Sequence, residues 1–402
     1  MDLVSPRITA LAAAATSLTL LSCAAKPPRD KGPMGVLPAA VTSAEPEWIP
    51  FTIRAGRALP SDPRERRFGE LRQLTFDGTS GAPRWHPDGR QLVYESGRSA
   101  TSCGELRRLD LSTGASERLS PDRGWASAGA FSADGARFLF TFSKATKPPC
   151  PHLFDGLRWT LPQCDIHAGA YARSPVGGAE SLDAPTVVIE SPAYDAELDA
   201  SGDGQRVVFT SMRDGDPDLY IATPSGQQVR RITSTPGYDG GARFSPDGSK
   251  LVWQAERLHD EAVEAYQEQL AQGSVEPRSL AILLAGSEGQ HQRVIVSRSG
   301  YNITPSFLPD SRHVLFASDY DDPAAATGKA RNFELYLVDP EGPATATGMG
   351  RIERVTYQDD FDGDGHISPN GQYLVFTSSR MATTPGGTNL FIARWLDSAE
   401  FR

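Results

Sequence analysis

Three things are scarce in this chain of 402 residues. No run of Lys and Arg gathers anywhere and the formal net charge is −10, which excludes nucleic acid as a partner because phosphate binding needs a basic footprint. No apolar stretch is long enough to cross a bilayer as a mature helix; the best candidate, Ile8–Leu21, falls short of the ~20 residues required. Catalytic signatures are missing too. There is no Gly-x-Ser-x-Gly elbow, no His-Glu-x-x-His, no Walker loop and no Cys-x-x-Cys. Turn chemistry, by contrast, is plentiful: Gly 38 and Pro 31 suit a fold of many short elements.

The N-terminus reads as a leader rather than as part of the fold. "MDLVSPRITALAAAATSLTLLSCAAKPP" carries one early cation, Arg7, then the apolar run, and then "LLSC", which resembles the lipobox of bacterial lipoprotein signal peptides. The resemblance implies a signal peptide over 1–22 and a lipid anchor on Cys23. With Ala24 next, it also implies the outer membrane, the protein facing the periplasm. Acyl chains at ~0.8 kcal/mol per buried methylene make such an anchor firm. An ordinary secretory signal that happens to end in Cys is the alternative. Residues 23–50, Pro- and Ala-rich without periodicity, read as a tether, and 51–69 as a lead-in segment.

Beyond the lead-in the chain repeats itself. "YDGGARFSPDGSKLVW" (238–253) returns as "FDGDGHISPNGQYLVF" (361–376), and six segments share its Pro-Asp-Gly-like turn between apolar runs. The turn residues are Asp88, Asp134, Asp203, Asp247, Asp310 and Asn370, at intervals of 46, 69, 44, 63 and 60. Each segment reads as a hairpin. A third strand comes next as "DLYIAT" (218–223), "ELYLVD" (334–339) or "NLFIAR" (389–394), and a fourth as "RRIT" (230–233) or "ERVT" (353–356). Four antiparallel strands repeated six times predict an all-β, six-bladed β-propeller of four-stranded blades. The sixth blade has no fourth strand of its own, yet "LRQLT" at 71–75 is spelled like one. Pairing it with the last strand closes the ring and leaves no open edge. The propeller therefore spans 70–397, with a tail at 398–402.

The repeat spelled by "DLYIAT" (218–223) and "YDGGARFSPDGSKLVW" (238–253), with the ending "TNLFIARW", resembles the TolB-type propeller, a WD-repeat-like family of the bacterial envelope. The resemblance covers about four-fifths of the chain and implies a Tol-Pal-like, protein-binding role in the periplasm. The family carries a globular α/β domain where this chain has a tether, so its partners are not transferred residue for residue.

Candidate sites come from the repeat alignment and from what interrupts it. Ten residues before the turn Gly (Ser in blade five) stand Tyr194, Tyr238, Tyr301 and Phe361 in consecutive blades, and nine before stand Asp195, Asp239, Asn302 and Asp362. At a channel mouth these form an expected ligand-binding rim, carboxylates for a cationic group beside aromatic faces. Two insertions enlarge the intervals, "SKATKPPCPHLFDGLRWTLPQCDIH" (143–167) and "ERLHDEAVEAYQEQLAQG" (256–273). In the second, Leu258, Ala262, Tyr266 and Leu270 share a helical face and Gly273 is a stop. Cys150 and Cys164 bracket the first, and a disulfide between them is expected, leaving Cys103 free. His86 and His366 lie on innermost strands of neighbouring blades, too few for a zinc site. "DDFDGDGHISPNG" (359–371) imitates a calcium loop but has Gly371 where the bidentate Glu belongs.

These readings converge on a non-enzymatic envelope lipoprotein without cofactor or metal. It recognises a protein or peptide partner through the channel mouth and the insertions, and meets the membrane through Cys23. The alternative is a metal- or carboxylate-dependent polysaccharide hydrolase or lyase at the same mouth.

Overall fold

The hairpin turn sets the repeat. The computed structural model describes residues 52–76, 78–97, 104–144, 158–171, 183–323, 332–343, 350–359 and 361–397, all within the compact unit Pro46–Arg402. In all six turns the Asp or Asn side chain accepts the backbone N–H two residues on, at 2.9–3.1 Å. The intervening residue takes a positive φ, from 57° at Ser311 to 74° at Gly371. That is why the turn needs a short acceptor followed by Gly. Ser311 adopts the strained conformation without a glycine's freedom, and its hydroxyl accepts the Asp247 N–H of the neighbouring turn at 3.0 Å.

Each turn opens one antiparallel sheet. The inner strands of blades one to six are Thr79–Trp85, Trp125–Phe131, Asp195–Ala200, Asp239–Phe244, Asn302–Phe307 and Asp362–Ile367. In blades one to five the sheet order follows the chain through four strands, inner to outer. The second strands read "VVF", "LVW", "VLF" and "LVF" with no alternation, because both faces of every sheet are covered. Phe209 packs towards blade two and Val208 towards blade four. Likewise Trp253 faces blade three and Val252 blade five. The core is therefore six wedges between blades rather than one central mass. Removing a ring such as Phe209, fully buried, costs about 3–5 kcal/mol.

The ring closes as the repeat count requires. Phe68–Gln73 pairs antiparallel with Asn389–Trp395, beginning three residues before the expected 71–75 and continued by a Leu74 N–H to Leu390 O bond of 2.7 Å. Thr75 Oγ1 accepts the Leu390 N–H at 2.9 Å. Thr233 and Thr356 hold Leu219 and Leu335 in the same way at 2.8 Å. The closing strand thus carries the same lock as the fourth strands of blades three and five. One addition is not anticipated by the repeat: Arg57–Leu59 pairs on the outside of the closing strand and makes that sheet five-stranded.

Candidate functional site

The expected rim residues lie at the crossover end of the blades, and they are buried. Asp195, Asp239 and Asn302 have no accessible surface, and Asp362, Tyr194, Tyr238, Tyr301 and Phe361 have little. In every blade the N–H at the Asp position donates to the carbonyl just ahead of the preceding blade's third strand. The donors are Ser80, Ala126, Asp195, Asp239, Asn302 and Asp362, the acceptors Thr388, Gly104, Cys164, Pro217, Leu280 and Phe333, at 2.8–3.1 Å. This is the stitch between blades.

Each side chain has a partner as well, although Asp195 Oδ2 and Asp362 Oδ1 are buried without one. Arg213 donates to Asp195 at 3.1 Å and Arg380 to Asp362 at 2.7 Å. Arg257 holds both oxygens of Asp239, at 2.8 and 3.0 Å, and Trp253 Nε1 adds a third donor at 2.6 Å. Asn302 has no arginine; it donates to Leu280 O and Arg298 O and accepts from Ser318 Oγ. Burial nevertheless lifts Asp239 to about 6, against Arg257, which favours the charge. Burial likewise lifts Asp218 and Glu334, at the start of their third strands, to about 7. An open rim of carboxylates free to draw in a cation is therefore not what these residues form. A signal for the correction stands in the sequence: Arg follows Asp by eighteen residues in each of the three copies, and Tyr320 takes that place where Asn302 replaces Asp.

The two insertions meet at this same end. Trp159–Thr160 pairs antiparallel with Ser274–Val275, joining the blade-two insertion to that of blade four. Arg158 ties the junction through Ser274 Oγ at 2.8 and 3.0 Å. The helix spans Glu261–Ala271, with Gly273 beyond its end at φ 70°. Of its expected apolar face, Tyr266 is buried and donates to Asp216 Oδ1 of blade three at 2.7 Å, while Leu258 and Leu270 pack partly beside it. Trp159 meets Tyr238 edge-on at 4.7 Å. The outward face, Glu261, Glu264, Gln267 and Glu268, is exposed.

The channel has its own chemistry. Every inner strand slips register at the same point, a bulge that re-aims side chains. Seven residues before the turn Gly (Ser in blade five), Ala82, Glu197, Gly241, Thr304 and Asp364 take φ between 47° and 65°. All but Glu197 turn their N–H groups sideways to the preceding blade: Ala82 to Asp364, Gly241 to Glu197, Thr304 to Gln254 and Asp364 to Thr304, at 2.7–3.4 Å. Glu197 also accepts from Tyr194, Tyr238 and Thr210. Two residues deeper stand Arg84, Ala130, Asp199, Arg243, Ser306 and His366. Of these, Arg84, Asp199, Arg243 and His366 keep partial exposure. Arg84 donates to His366 Nε2 at 2.6 Å. Burial, then Arg84 and Arg243, hold His366 well below the usual imidazole range. Burial and Arg243 bring Arg84 down to about 9. Apart from His366 this layer is not among the residues singled out by sequence, although its fixed offset from the turn marks it.

The remaining expectations separate. His86 does not meet His366; its Nε2 faces Gly135 O of blade two at 3.2 Å and its ring packs on Phe131 and Tyr171. In the calcium-like loop Asp362 pairs with Arg380 while Asp364 turns into the channel, so the two carboxylates do not converge. Among the described residues no three His, Cys, Asp or Glu side chains could together hold a metal ion. Cys164 is a free, buried thiol whose Sγ donates to Asp195 O at 3.5 Å, and burial pushes it far up from its ordinary pKa. The expected bridge would join this thiol to Cys150. Cys150, Cys103 and Cys23 lie outside the described residues. No helix among the described residues is long and apolar enough to cross a membrane.

No protein-family model matches the chain. A curated relative, the protein TolB homolog of Chlorobium luteolum, is 26% identical over 170 residues, 42% of this chain and 32% of that protein. The chain thus spans about a third of the length of the curated relative it matches. Among solved structures, TolB from Acinetobacter baumannii superposes with a TM-score of 0.50 at 18% identity, covering 70% of this chain and 56% of that one. The putative TolB from Agrobacterium tumefaciens has a TM-score of 0.49 at 18% identity, over 80% of this chain and 91% of that one. The propeller is TolB-like in repeat and in fold.

Proposed function

We propose that the chain is a non-enzymatic binding module of the bacterial envelope, anchored to the outer membrane through Cys23 and facing the periplasm. It holds a protein or peptide partner at the crossover end. The observation that carries this is the union of the insertions. Two segments from different blades pair with each other and place an eleven-residue helix there, and elements added to a rigid scaffold are where binding concentrates. The exposed carboxylates of Glu261, Glu264 and Glu268 suit a partner segment rich in Lys or Arg.

A photo-crosslinking residue at Gln267, on the outward face of the helix, tests the reading in cells. Gln205, exposed on a hairpin turn at the other end, is the control position. A discrete adduct from position 267, absent from 205 and lost when Glu261, Glu264 and Glu268 become Lys, is the expected result. Adducts of the same pattern from both positions, or from neither, overturn it. Cys23→Ser should separately move the protein from the membrane to the soluble fraction.

A further inference from the structure

The channel holds two arginines for which the crossover face has no use. Arg84 of blade one and Arg243 of blade four occupy the same repeat position, and in a ring of six these blades face each other across the axis. Neither forms an ion pair among the described residues. Arg84 donates to Pro83 O at 2.9 Å and to the neutral His366, and its Nε is buried without a partner. Arg243 donates only to the carbonyls of Ala242 and Leu198, at 2.9 and 3.4 Å. Asp199, at the same level, commits Oδ2 to the Phe244 N–H at 2.8 Å. Two guanidinium groups at one level of the channel repel, and Asp199 and Asp364 act on both without forming an ion pair with either. An anion between them relieves that repulsion.

Charge count and shape narrow the anion. Asp199 and Asp364 offset the two arginines in charge, so a singly charged carboxylate suits the layer better than a phosphate dianion. A guanidinium fork also presents paired donors with the geometry of a carboxylate. Glu197 of blade three and Asp364 of blade six stand in the layer above, again in facing blades. We propose that the channel binds a carboxylate between Arg84 and Arg243. The source is either a small monocarboxylic acid or the C-terminal carboxylate of a polypeptide. This site is independent of the partner face at the crossover end, and either can fail without the other.

Calorimetric titration of the purified chain with three probes decides it: N-acetylglycine, an N-acetylated tetra-alanine with a free C-terminus, and the same peptide as its C-terminal amide. Both acids should bind saturably and the amide should not. Arg84→Gln and Arg243→Gln should each weaken the acids about tenfold or more, the loss of one charge-assisted pair. Tighter binding of the peptide acid identifies a polypeptide terminus as the source, and equal binding identifies a small acid. Absence of saturable binding by both acids, binding of the amide like the acid, or undiminished binding by folded Gln variants overturns the proposal. Should neither variant fold, Trp85 reports on the wild type, since its Nε1 donates to His366 O at 3.0 Å beside the ring. An acid-induced fluorescence change that vanishes in Trp85→Phe supports the site, and no change in the wild type rejects it.

Discussion

The two ends of the propeller treat carboxylates in opposite ways. At the hairpin-turn end Asp134, Asp203, Asp247 and Asp310 are exposed and lie below the usual carboxylate range. The Ser132 hydroxyl and the Ala136 N–H hold Asp134 there; at Asp247 a burial cost is outweighed by Ser245 and Ser249. At the crossover end Asp218, Asp239, Glu334 and Asp362 are pushed upward by burial, even with an arginine beside each. The residue class is the same and the repeat is the same. What differs is whether the hydrogen bonds are made at the water's edge, where they favour the charge, or in a wedge where desolvation opposes it. An acid that recurs within a repeat is therefore no guide to ligand binding until its depth is known.

The strongest way to break this comparison is to remove the crossover end's support. Deleting residues 52–76 takes away the closing strand and leaves Asn389–Trp395 as an open edge. Soluble monomer should be lost to aggregation, measured by light scattering and size exclusion; a monomer with an unchanged melting temperature would show that another strand closes the ring. Next in size is Asp239→Ala, which strands Arg257 and removes the acceptor of Trp253 Nε1. About 3 kcal/mol should disappear from urea unfolding, whereas Asp239→Asn, the residue type found at Asn302, should lose less. At the other end Asp247→Ala deletes one exposed turn acceptor and should cost about 1 kcal/mol. Equal losses for the two alanine variants would erase the distinction between the ends.

The smallest effect is the dependence on pH, and its sign separates the ends. The turn groups have lowered folded values, so their contribution is present above the unfolded value and is lost as pH falls through the folded one. The crossover groups have raised folded values, so theirs is complete below the unfolded value and is lost as pH rises through about 6 for Asp239 and about 7 for Asp218 and Glu334. The melting temperature should therefore peak near about pH 4–5 and decline by a few degrees towards pH 8. A curve still rising between pH 5 and 8 would mean that the arginines keep the buried carboxylates ionised.

Much of the architecture is legible in the sequence alone. The Asp-Gly turns at fixed offsets, the apolar second strands and the displaced fourth strand at Leu71–Thr75 together require a closed six-fold ring, because each arises from local rules of turn, strand and edge. The helix within 256–273 is legible for the same reason, its period being local. Depth is not legible. Asp195, Asp239 and Asp362 look alike whether they stand at a mouth or beneath it; the Arg eighteen residues on marks a partner but not a depth, and the crossing of each N–H to the preceding blade shows that they are stitches.

Apart from the ring closure, contacts between distant segments belong to the tertiary structure. Nothing in the local spelling of Trp159–Thr160 announces that it pairs with Ser274–Val275, since strand pairing is specified by what the folded blades bring within reach. The contact of the Cys164 thiol with Asp195 O is likewise absent from the local spelling. Arg84 and Arg243 are far apart in the chain and unremarkable in their own repeats. The sixfold ring sets them opposite each other, because a bulge at one repeat position aims every inner strand's side chain at the same level of one axis.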